Sequence, residues 1–320
     1  MSWKRKGTGS TQHRASHSAE HKLGYSPKVA ALLLTPTGLI MLALVGVPAL
    51  FLVFTSFTNY DQRTLFTGEF DFTGFSTYGK VLSDVAFWAS TVRTIGFTVA
   101  CVAGTVLLGM AVAQFIAKLG PIMQYVVTIV LILAWAMPEV ASAMVWKWLF
   151  QPGYGVINWM LTQLRVFGDM TNTNWANNTA LAYICIWLLI VWQAIPFIAL
   201  TMYAAVQQVD PSCIEAAKLD GAGPIRLYWL IVVPLVRPTL LLVTTLSVIW
   251  DFKVFNQVWL ISQGGPSDST AILGVFSYKK AFVGFDIGQG AAISVITTFM
   301  LIGLTVVYIR SLLKAGEDLA

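Results

Sequence analysis

Charge is what this chain has least of. Asp, Glu, Lys and Arg together make up 11% of its 320 residues, against 57% apolar residues and a mean hydropathy of +0.71. So few charges cannot keep a whole surface in water, which excludes an ordinary soluble domain. Cysteine is equally sparse. Cys101, Cys185 and Cys213 fall at spacings that suit neither a metal site nor a disulfide framework, and they read as packing residues. Nowhere does the sequence cluster a nucleophile, a base or a set of metal ligands, so no reaction centre is visible. The strict alternation of a membrane β-barrel and any internal repeat are missing as well.

What the chain does have is apolar length. A bilayer core of roughly 30 Å needs about 20 apolar residues per helix. Six runs meet that need, at 29–56, 92–117, 121–145, 179–204, 232–258 and 287–309. Lipid cannot satisfy backbone N–H and C=O groups, so these runs must be helices. The expected fold is all-α and polytopic, with six transmembrane helices.

Residues 1–28 carry Lys4, Arg5, Lys6, Arg14, Lys22 and Lys28 among Ser, His and Gly, the composition of a disordered tail. The apolar run that follows is too long for a signal peptide and stays as the first helix. A six-helix domain then spans 29–314, with a polar insert at about 205–231, and 315–320 form a short tail. Twelve of the 20 Lys and Arg fall on the side of both termini and the insert. By the positive-inside rule that side is cytoplasmic. The opposite loops, 57–91, 146–178 and 259–286, are too short for a separate soluble domain.

The insert carries its own start and stop signals. Asp210 can cap orphan N–H groups and Pro211 suits the first helical position. Gly221 is a stop, and Gly223-Pro224 allow a second start towards Tyr228 and Trp229. Two short helices at an angle result. Ala216 and Ala217 offer a close-approach surface, and Glu215, Lys218 and Arg226 offer charge. Pro234 and Pro238 mark return to the membrane. The plain alternative is an amphipathic loop with no partner. One apparent phosphate motif fails: Gly74 to Gly79-Lys80 has the P-loop spacing, but Val81 follows where a hydroxyl is needed for magnesium.

The string Glu215-Ala216-Ala217-Lys218-Leu219-Asp220-Gly221-Ala222-Gly223, followed by Ile231 and Pro234, resembles the EAA loop of permease subunits in bacterial ATP-binding-cassette importers. It is most similar to the version in carbohydrate importers of the maltose-permease type. Phe54 to Asp61 (FTSFTNYD), Trp146 to Asn158 (WKWLFQPGYGVIN) and Gly264-Gly265-Pro266 extend the resemblance over residues 29 to 310. Val233 departs from the usual leucine and keeps its apolarity.

This resemblance implies a type I importer permease in the bacterial plasma membrane, binding-protein-dependent and moving a carbohydrate inward. The implied partners are a second related permease, two cytoplasmic ATPase subunits or domains and an extracytoplasmic substrate-binding protein. Membrane lipid surrounds the chain, and no nucleic acid is involved. ATP and magnesium belong to the ATPase, leaving this chain without cofactor or catalytic site. Glu215, Ala216, Ala217, Asp220 and Gly221 are the implied ATPase-coupling residues.

Polar groups inside apolar spans are costly and face a cavity or another helix. Ser247 and Asp251 share a helix face with Trp250 on its flank. Gln193 and Phe197 have the same spacing, beside Trp192 and the helix-disturbing Pro196. Aromatic planes cover sugar C–H faces while amides and carboxylates bond hydroxyls. Trp192, Gln193, Phe197, Ser247, Trp250 and Asp251 are therefore the substrate-pathway candidates, with Asn256 a weaker addition. Plain helix packing is the competing explanation for each aromatic. Glu139, after Pro138, is either a gate contact or half of a structural pair. Lys279 and Lys280 either meet a binding protein or form a solvated charge pair. Two alternatives stand beside the sugar importer. A glycerol-phosphate importer calls for basic cavity residues, whereas only Lys253 is basic here. An ion-coupled secondary transporter would use Glu139 and Asp251 as proton carriers.

Overall fold

The computed structural model describes residues 27–165 and 167–317, with side chains from 31 to 310. The expected tails therefore lie outside the described residues except at their inner edges, where Pro27 opens a helix. The chain divides into two units, residues 1–50 and 51–320.

From Ala31 onward the described residues of the first unit belong to α1 (Ala31–Thr55), whose last residues fall in the second. It contains Pro36 and a π-helical turn at Leu42–Gly46. Nearly every side chain from 31 to 50 is exposed, Leu32, Leu44 and Leu50 among them. A lipid solvent makes such a surface inexpensive.

In the second unit α2 (Val85–Ala117) starts on Asp84, whose carboxylate accepts from the Ala86 amide at 2.9 Å. It packs along α5 (Thr179–Val206), with α3 (Pro121–Trp135) and α4 (Glu139–Leu149) between them in the chain. The insert then forms α6 (Pro211–Leu219) and α7 (Pro224–Leu235). After it come α8 (Arg237–Phe252), α9 (Asn256–Ser262) and α10 (Ile287–Arg310). Among the described residues four helices, α1, α2, α5 and α10, are each long and apolar enough to cross a bilayer, and the count reaches six when each bent pair is one span. These are the six places marked by the apolar runs.

Two of the runs are not straight helices. The third breaks between α3 and α4 with a bend of 96°. Pro138 has no N–H to give and holds Met137 away from the helical region, and its own backbone is extended (φ −60°, ψ 137°). The fifth, expected over 232–258, bends by 79° between α7 and α8 and ends at Phe252. Pro196, by contrast, sits inside α5 without interrupting it.

Side-chain hydrogen bonds and ion pairs hold the polar loops. Asn158, last residue of the WKWLFQPGYGVIN string, donates to the carbonyls of Phe150, Gln151 and Thr173 and accepts the Trp175 indole N–H at 2.6 Å. Asp61, which ends FTSFTNYD, forms a reciprocal cap with Thr64. Lys280 pairs with Asp84 at 3.1 Å and Lys279 pairs with Asp268, so neither lysine is merely solvated. The Gly74–Lys80 segment leads into a helix at Ser76–Ser83 and follows no strand.

Candidate functional site

The insert folds from its own local chemistry. Asp210 accepts from the Ser212 amide at 2.9 Å, and this backbone hydrogen bond holds its carboxyl below the usual carboxylate range. Pro211 takes the first helical position of α6. At the other end the Gly221 amide bonds the Lys218 carbonyl and the Ala222 amide bonds the Ala217 carbonyl, both at 3.0 Å. This paired closure needs a left-handed residue after the helix, and Gly221 supplies it with φ +82°. Gly223 and Pro224 then launch α7, whose π-helical turn at Tyr228–Val232 packs against α6.

Of the five coupling candidates, Glu215, Ala216, Asp220 and Gly221 are exposed, whereas Ala217 is buried inside the elbow. Ala217 is thus a packing residue of the elbow itself. Leu219 and Ile225, passed over in the sequence reading, are the most exposed apolar side chains of the insert, at 89% and 76%. For Leu219 the available signal was an apolar residue two positions before the glycine stop. Cys213, expected to pack, is exposed on α6.

A cavity of about 560 Å³ opens where the α3–α4 break meets the middle of α5 and the junction of α8 with α9. Trp135, Glu139, Gln193, Trp250, Asp251, Lys253 and Gln257 line it. Asp251 is 6% exposed and its Oδ2 has no hydrogen-bond partner; Gln257 is 5% exposed and its Oε1 has none. Meanwhile two amide donors of the lining are committed. Gln193 Nε2 donates to the Met137 carbonyl at 3.0 Å and Asn256 Nδ2 donates to Glu139 Oε2 at 3.1 Å. A carboxyl oxygen and an amide oxygen left free at this depth can accept from donors on a solute or on water.

The six pathway candidates do not all converge. Gln193, Trp250 and Asp251 line the cavity. Phe197 lies behind it, stacked on Trp135 (6.1 Å, 23°) and edge-on to Trp250 (5.1 Å, 66°), so it supports the aromatic wall. Trp192 turns away and packs on Trp146 at 5.8 Å beside the main core. Ser247 is buried with an unpartnered hydroxyl outside the lining. Trp135 and Gln257 were missed because their nearness depends on helix breaks that leave no periodic signal. Among the described residues no three His, Cys, Asp or Glu come together to hold a metal ion. A second recess, about 570 Å³, is lined mostly by aliphatic side chains such as Val99, Val102 and Leu304, and suits hydrocarbon rather than a polar solute.

The family model described as binding-protein-dependent transport system inner membrane component matches residues 105–314. The chain is 39% identical over 312 residues to the diacetylchitobiose uptake system permease protein DasB of Streptomyces coelicolor, covering 98% of this chain and 93% of that one. It is 30% identical over 291 residues to the trehalose/maltose transport system permease protein MalF of Thermococcus litoralis, covering 91% and 94%. In fold it is similar to a chain of a bacterial ABC transporter involved in the import of the acidic polysaccharide alginate. The TM-score is 0.74 at 15% identity, with 90% of this chain and 96% of that chain covered.

Proposed function

The chain belongs to the binding-protein-dependent transport system inner membrane components, and on that premise we propose that it is the permease subunit of an ATP-driven importer that carries a sugar or oligosaccharide into the cell. It is a transport subunit, and nucleotide hydrolysis belongs to a separate polypeptide. The reading rests above all on the polar cavity, where Trp250 and Trp135 offer planes and Asp251 and Gln257 offer unpaired acceptors. Hydroxyl-rich sugars match that demand. A phosphate would meet two carboxylates, Glu139 and Asp251, against one Lys253, which disfavours glycerol-phosphate as cargo.

In this reading the elbow α6–α7 docks on an ATPase subunit through Glu215, Ala216, Leu219, Asp220 and Ile225, with Gly221 setting its angle. ATP and magnesium bind there. The elbow is tied on one side to α5 and on the other to α8, so closure of the ATPase rocks the two helices that carry the cavity. A second permease completes the pathway, two ATPase subunits or domains complete the motor, and an external binding protein delivers cargo. Both termini then face the cytoplasm. The ion-coupled alternative has no use for the elbow.

The test is purification of the assembly in nanodiscs, identification of any bound carbohydrate by mass spectrometry, and measurement of sugar-stimulated ATP hydrolysis. Wild-type protein should co-purify an ATPase and respond to a neutral sugar. Transport by this chain alone, or an elbow that cross-links to no ATPase, would overturn the reading.

A further inference from the structure

The break in the third span is held from both sides by side chains of other helices. Pro138 sits at its corner, and the first hydrogen bond of α4 runs from the Ser142 amide to the Pro138 carbonyl. The Met137 carbonyl, left outside the helix by the bend, must find a donor elsewhere. It finds Gln193 of α5 at 3.0 Å. On the other side of Pro138, the Glu139 carboxylate takes the Asn256 amide of α9 at 3.1 Å. Neither amide could be turned around, since a carbonyl or carboxylate only accepts. Trp135, Met137, Pro138 and Glu139 also form one wall of the cavity, so the angle of the break sets its width.

The two clamping residues lie on either flank of the elbow in the chain. Gln193 is 13 residues before the end of α5, about 20 Å of rigid helix, and four residues then lead into α6. Asn256 stands four residues beyond the end of α8, the helix that leaves the elbow. The Met137 and Glu139 clamps are thus connected through the chain to opposite ends of the elbow.

The geometry points to Gln193 and Asn256 as positioning residues that transmit elbow movement to the cavity wall. This rests on the importer reading above, and it removes Gln193 from the substrate contacts. A solute meeting the cavity touches Trp250 and Asp251, while Gln193 and Asn256 hold the corner against which it packs.

The test uses the complete assembly in liposomes, with radiolabelled maltose and diacetylchitobiose as probes. Gln193→Met keeps side-chain length and loses the donor; Asn256→Leu does the same at the second bond. Each should leave ATP hydrolysis within about twofold of wild type and lower sugar moved per ATP about fivefold, the order expected for one lost hydrogen bond. The double variant should depart from the sum of the single effects. Equal loss of hydrolysis and uptake, or no change in their ratio, would overturn the assignment. A second readout needs no cargo. Spin labels at Leu133 and Trp148, both exposed, placed in a Cys213→Ser background, report the distance between α3 and α4. Gln193→Met should broaden or shift that distance, and an unchanged distribution would also overturn the assignment. Failure of wild-type protein to respond to any sugar would instead count against the importer reading, leaving the label experiment to judge the clamp.

Discussion

The ring of Trp187 on α5 lies so close to Gly104 on α2 that a Cβ there would stand 2.4 Å from Cζ2. The same indole donates to the Ala100 carbonyl at 2.8 Å. Five residues further along α2, a Cβ on Gly109 would meet Ile198 at 2.6 Å. Small residues let two helices approach where lipid gives no hydrophobic drive to association.

Gly109→Ala should therefore destabilise the fold by about 1–3 kcal/mol, because the opposing atoms include the Ile198 Cβ, which cannot swing aside. Gly104→Ala should displace Trp187 and break its hydrogen bond. Thermal unfolding in nanodiscs would measure both, and a value unchanged from wild type would contradict the close approach.

Asn158→Leu would leave the buried Trp175 N–H and three carbonyls without their shared partner. A loss of about 1–3 kcal/mol per abandoned group is the usual scale. Limited proteolysis should then cut the 150–178 loop faster while helix content by circular dichroism stays near wild type.

Gly221→Ala meets no atom within 4 Å but must adopt φ +82°, which costs about 1–2 kcal/mol. Gly221→Pro also deletes the amide that bonds the Lys218 carbonyl. Both should weaken capture of the ATPase in a pull-down, proline the more, while sugar affinity of the cavity is untouched. Gly221→Asn, which tolerates the left-handed region, should be the mildest.

Acid should loosen the contact between Asp84 and Lys280. Burial raises the Asp84 carboxyl, but the Ala86 amide and Lys280 overcome it and hold it below its ordinary 3.8. A depressed carboxyl contributes stability above the unfolded value and loses it as pH falls through the folded one. The contribution should thus be constant from pH 7 to 5 and fade below about pH 4. With both side chains near one-third exposed, Asp84→Asn should cost at most about 1 kcal/mol at pH 7 and abolish this acid sensitivity.

Asp251→Leu should lower affinity for a neutral sugar about three- to tenfold, the scale of one ordinary hydrogen bond. Trp250, 37% exposed at the cavity, provides the fluorescence signal. Unaltered titration curves would remove Asp251 from the pathway.

Much of the architecture was legible because it is decided locally. Asp210-Pro211 and Gly221 delimit α6 through hydrogen bonds within a few residues of themselves. Ala217 was not legible: its burial depends on how α7 folds back on α6. Trp192 and Gln193 are neighbours with similar surroundings in sequence, yet one packs on Trp146 beside the core and the other reaches the cavity.

Read alone, the amino-acid order was enough to establish a lipid-embedded helical bundle, its six apolar runs and the capped elbow between the fourth and fifth. Those features follow from solvent preference and from backbone bonds between near neighbours. Only the tertiary structure decided that the third run turns through 96°, and that Gln193, 56 residues away, supplies the donor its corner lacks. A break frees a backbone group, but which distant side chain claims it is settled by packing among helices, and that packing has no period in the sequence.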